Sequence, residues 1–110
     1  MTKISADEVA DVLRQGLRGK IAIELLGDRS WSDVWCGNIE YAFGDWRITF
    51  FNDVMELDYV DRVVAPDGRT IEYDQFDVPE GETLIQDPVD LLSEDERALL
   101  ESRLVSITAG

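Results

Sequence analysis

Histidine is absent from this 110-residue chain, and cysteine occurs once, at Cys36. The first absence excludes Ser-His-Asp and Cys-His catalysis, histidine-ligated zinc or iron, and the usual proton switch near neutral pH. The second excludes an intrachain disulfide and thiolate metal clusters. It points to a reducing compartment, so a cytoplasmic location is expected. No apolar run approaches the roughly 18–20 residues needed to cross a bilayer, and no membrane partner is expected. The opening Met1-Thr2-Lys3-Ile4-Ser5-Ala6-Asp7-Glu8 has no apolar h-region and turns acidic at once, unlike a signal peptide.

Basic residues are scarce as well. Ten Lys and Arg stand against 24 Asp and Glu, a formal charge of −14. A surface of that sign does not neutralise phosphates, which excludes direct nucleic-acid binding. The imbalance is uneven: residues 1–52 carry eight acids and six bases, whereas residues 53–110 carry sixteen acids and four bases. Hydrophobic residues make up 45% of the chain, enough for a core, and its length suits one domain over 1–110. No cofactor is expected. Any chemistry would fall to carboxylate, tyrosine, lysine or arginine side chains.

The local patterns predict an α+β fold. Ser5 and Glu8 form a capping box with Ile4 and Val9 as its staple, and Val9, Val12, Leu13 and Leu17 recur at helical spacing up to Gly19, a helix over about 6–18. Lys20–Leu26 is β-prone. Trp35, Gly37, Ile39, Tyr41 and Phe43 share one face of a second strand, Gly44-Asp45 is a two-residue hairpin turn, and Trp46, Ile48 and Phe50 face the core on the way back. After a break at Asn52-Asp53, a strand over 55–64 meets the turn Pro66-Asp67-Gly68. A three-residue loop there sets Val63 opposite Ile71 and Arg62 opposite Glu72, with Leu57, Tyr59, Val63, Ile71 and Tyr73 on the core face. Residues 77–87 form an acidic connection. Asp87-Pro88 opens a short helical turn, and Ser93 with Glu96 caps a helix to about Leu104, whose buried stripe is Leu99, Leu100 and Leu104. The expected architecture is an N-terminal helix, an antiparallel meander of about five strands, and a C-terminal helix or helices on one sheet face.

Phe50-Phe51-Asn52-Asp53, Glu56-Leu57-Asp58-Tyr59, Pro66-Asp67-Gly68-Arg69, Asp87-Pro88-Val89 and Leu91-Leu92-Ser93 together give the chain a likeness to known proteins. It resembles a family of small uncharacterised bacterial proteins, a domain of unknown function, over most of its length. The resemblance implies a compact bacterial domain and carries over no catalytic residue.

Three sets of residues are candidates for function. Glu56, Asp58, Glu72 and Asp74 point outward together in the expected register and would meet a basic protein partner, as an inhibitor or immunity-type protein covers the basic site of a nuclease. Trp35, Trp46 and Tyr73 would line an aromatic pocket for a small ligand. Asp53, Glu56, Asp58 and Asp61 crowd four carboxylates into nine residues, a composition that suits a hard cation but lacks EF-hand spacing; a solvated acidic surface is the simpler reading. Asp61 falls on the core face unless a bulge, a sheet edge or an arginine accommodates it. Trp31 is the tryptophan expected in solvent, and Cys36 is expected to be buried and inert.

Overall fold

Ser5 Oγ accepts a hydrogen bond from the Glu8 amide at 3.1 Å, and Ile4 and Val9 are buried beside that cap. Helix α1 (Ala6–Leu17) therefore starts where its signals lie. The Glu8 carboxylate does not complete the predicted box. It pairs at 3.0 Å with Arg69, which the Pro66–Gly68 turn brings alongside. The far end of α1 closes in a Schellman motif: Gly19 has φ 74°, Lys20 N–H donates to the Gln15 carbonyl, and Gly19 N–H to that of Gly16. The apolar stripe of α1 lies on the sheet. Gly16 permits this, since a Cβ there would come within 2.8 Å of the Phe43 ring.

The computed structural model describes residues 2–109; Met1 and Gly110, the ends of the expected domain, lie outside the described residues. Five antiparallel strands follow α1 in the order of the chain: β1 (Ile23–Leu26), β2 (Cys36–Phe43), β3 (Trp46–Asp53), β4 (Glu56–Val64) and β5 (Thr70–Glu72). Helix α2 (Glu94–Ser106) starts on the predicted Ser93–Glu96 box, with both reciprocal hydrogen bonds in place. Leu100 and Leu104 are buried against the sheet, and the Tyr41 hydroxyl donates to the Leu104 carbonyl at 2.8 Å. Burial raises that phenol to about 12, so it remains a donor. Leu99, expected in the buried stripe, is exposed, because the buried stripe of α2 is narrow and holds only Leu100 and Leu104, one turn apart. Both helices cover the face that carries Tyr41 and Phe43, which is the α+β architecture read from the sequence.

The β4–β5 hairpin keeps its predicted register, with Val63 opposite Ile71 and Arg62 opposite Glu72. The remainder of β4 does not alternate. Thr49 faces Arg62 while Phe50 faces Val60, and Phe51 faces Tyr59 while Asn52 faces Leu57, so Asp61 and Asp58 are extra residues at two β-bulges. Each bulge reverses the parity of the strand. Leu57, Val60 and Val63 are buried, a spacing of three that regular strand geometry does not give. Tyr59, predicted in the core, thus lies on the opposite face. Asp61 is turned outward as well and accepts a hydrogen bond from Asn38 Nδ2 at 3.1 Å.

The tryptophans exchange the roles expected of them. Trp31 sits in a 3-10 turn (Trp31–Asp33), fully buried, with its indole N–H donating to the Met55 carbonyl. Trp35 stops short of β2 and is 69% exposed, and Cys36 beside it is exposed too. Asn52, read as a break, is fully buried inside β3. Its amide donates to the Trp31 and Val34 carbonyls at 3.2 and 2.9 Å.

Candidate functional site: the outer sheet face

The face of the sheet away from the helices carries side chains from alternate positions of β2 and β3 and, through the bulges, from Tyr59 and Asp61 of β4. Phe51 and Tyr59 are cross-strand partners whose rings stack with centroids 5.1 Å apart. Strand β5 ends after Glu72, and a 3-10 turn (Tyr73–Gln75) follows, held by the Glu72 N–H donating to Gln75 Oε1 at 2.8 Å. The turn brings Tyr73 against Tyr59, centroid to centroid 5.4 Å, and leaves it 45% exposed. Phe51, Tyr59 and Tyr73 thus form a continuous aromatic strip on this outer surface.

Carboxylates surround the strip. Burial raises the Tyr59 phenol above its ordinary value, and the negative charges of Asp61 and Asp58 push it further in the same direction. Glu72 and Asp74 flank Tyr73 in the chain, although Glu72 stands cross-strand from Arg62, which offsets part of its charge. Asn38 holds Asp61 from β2.

The C-terminal third of the chain fixes the bulges in place. Because β5 is three residues long, the Glu56–Val60 half of β4 has no strand on its second edge. Asp87 and Arg97 occupy that edge. The buried Asp87 carboxylate accepts from Val60 N–H at 3.1 and 3.2 Å and, as the N-cap of a 3-10 turn (Pro88–Leu91), from Val89 N–H at 3.0 Å. Arg97 Nη2 donates to the Leu57 and Asp58 carbonyls, both at 3.2 Å. Edge groups that would otherwise invite another strand are thereby satisfied by side chains. Burial raises the Asp87 carboxyl to about 7, outweighing the two backbone donors that stabilise its charge.

A model of one protein family matches residues 3–106 and is described as a domain of unknown function, DUF7693. The chain belongs to the DUF7693 family. No curated protein and no solved structure matches it. In this DUF7693 domain the outer sheet face is where aromatic rings and carboxylates adjoin.

The four acids predicted to act together are all exposed, but they divide into two groups. Asp58, Glu72 and Asp74 border the aromatic strip. Glu56 pairs with Asp53 across the β3–β4 turn, roughly 15–20 Å along β4 from the Arg62–Glu72 pair. The predicted aromatic pocket is not assembled. Trp35 adjoins the Cys36 end of the β2–β3 hairpin and Trp46 pairs with Phe43 at its other end, roughly 25 Å away, while Tyr73 lies beyond β5. The four carboxylates weighed for a cation are separated by the same geometry, since Asp53 and Glu56 flank a turn while Asp58 and Asp61 occupy different bulges. Among the described residues no three acidic or thiol side chains come together as a metal site requires. No helix among them is long and apolar enough to cross a membrane.

The sequence reading missed Phe51 and Tyr59 as surface residues and Asp87 as the buried carboxylate. One signal was present for the first two. Alternation through 57–63 placed a charged residue, Asp61, in the core, and one bulge removes that conflict.

Proposed function

We propose that this domain is a non-enzymatic, cytoplasmic interaction module of a bacterial protein, and that its outer sheet face receives a basic protein partner. The observation that carries this reading is the strip Phe51–Tyr59–Tyr73, with Phe51 and Tyr59 half-buried and Tyr73 exposed, on a face that no helix covers and bordered by Asp58, Asp61, Glu72 and Asp74. Tyrosine rings flanked by carboxylates suit a guanidinium: the ring face attracts the cation, worth about 0.5–2 kcal/mol, while the acids take its N–H donors. The surrounding charge of −14 speeds the encounter with such a partner and repels nucleic acid itself. An inhibitor or immunity-type protein, occupying the phosphate-binding surface of a nuclease or DNA-binding protein, is the concrete form that this chemistry favours.

The test compares two variants of equal charge against an arginine-rich peptide. Asp58→Asn with Asp61→Asn removes two charges beside Tyr59, and Glu80→Gln with Glu82→Gln removes two from the loop before Asp87. The first pair is expected to lower affinity at least about fivefold more than the second. Equal losses would mean that bulk charge alone attracts the peptide, and the reading would be abandoned.

A further inference from the structure

The β3–β4 turn is built from residues that disfavour its shape. Val54 and Met55, at its two central positions, have φ of 50° and 71°, values that a two-residue hairpin normally assigns to Asn and Gly. A β-branched side chain with positive φ is an outlier that persists only where the surroundings enforce it. Here they do. The Met55 carbonyl accepts the Trp31 indole N–H at 3.3 Å, the Met55 N–H donates to the Trp35 carbonyl at 3.2 Å, and Asn52 ties β3 to the Trp31 and Val34 carbonyls. The segment 31–35 and the turn are thus fastened together from below.

The fastening places two large apolar side chains in solvent at one tip of the sheet. Trp35 is 69% exposed, and Val54 is 49% exposed on the turn whose backbone bonds to it. Asp33, Asp53 and Glu56 lie exposed around them. Exposed tryptophan on a rigid support is the residue most often found to dominate an interface, provided that the partner desolvates it. An acidic rim around an apolar projection is complementary to a basic rim around an apolar recess. We propose that Trp35 and Val54 form an anchor that a protein partner receives in an apolar pocket rimmed by Lys or Arg. This inference rests on the reading of the domain as a binder of basic proteins, and it adds a second, apolar point of attachment at the end of the same sheet.

Two synthetic peptides of equal charge separate the ideas: an amphipathic Leu/Lys helix, and a Ser/Lys peptide with no apolar face. The wild-type protein is expected to bind the amphipathic peptide about tenfold more tightly, with a blue shift of the tryptophan emission, since Trp31 is already buried, Trp46 packs against the core at the far end of the hairpin, and Trp35 is the exposed indole that changes environment. Trp35→Ser with Val54→Asn is expected to abolish that preference and that shift while leaving affinity for the Ser/Lys peptide unchanged. Thermal melting checks the fold of this variant, and Trp35→Ser alone serves if the pair is unstable. A preference that survives the substitutions, or the same affinity of wild type for both peptides, overturns the anchor and leaves the basic-partner reading standing. If neither peptide binds saturably, both are overturned.

Discussion

Single side chains hold the irregular parts of this molecule. Asn52 is the plainest case, with its amide bridging two carbonyls of the 31–34 segment from inside the sheet. Both partners are acceptors, so only the NH2 end of the amide can face them. Asn52→Ala should cost on the order of 2 kcal/mol in urea unfolding, because two buried carbonyls lose their donors. Asp87 has a pH signature. Its carboxyl is raised to about 7 by burial, against roughly 3.9 for an unfolded aspartate. The folded form therefore binds the proton more tightly. The stability that Asp87 contributes is fully present below about pH 4 and is lost as pH rises through about 7. Urea midpoints of wild type and Asp87→Asn, measured from pH 4 to 8, should show the advantage of wild type shrinking with rising pH and then levelling off. An advantage that grows with pH would contradict the assignment.

At the scale of elements, the regular parts were legible and the irregular parts were not. Both helices, the Ser93–Glu96 box and the Pro66–Gly68 register follow from caps, periodicity and turn chemistry, which act over a few residues. Strand β4 depends on partners that lie far along the chain. Its bulges are held by Asp87 and Arg97, some thirty to forty residues downstream, and local alternation carries no trace of them. That one element moves Tyr59 and Asp61 to the outer face, so the strip was misread along with it. Trp35 and Trp31 were exchanged for a similar reason. The Asn52 amide and the Met55 carbonyl decide which indole is buried, and neither is a neighbour in sequence. The β3–β4 turn offers a direct check on enforced strain. Val54→Asn suits the positive φ and should raise stability by about 1 kcal/mol, read from the urea midpoint; an unchanged or lower value would mean that the turn is not strained.

Over the whole molecule, charge is the dominant property. A net −14 on 110 residues makes the folded state repel itself. Salt screens this repulsion, so the melting temperature should climb by several degrees between low ionic strength and about 0.5 M NaCl, opposite to a protein held together by surface ion pairs. The central claim is that this charge serves a specific surface. An NMR titration of the labelled protein with an arginine-rich peptide tests it most directly. Saturable shifts concentrated at Phe51, Tyr59, Asp61, Glu72 and Tyr73 are the expected result. Shifts spread evenly over the acidic residues, or gathered on the 77–87 connection and the outer side of α2, would contradict it.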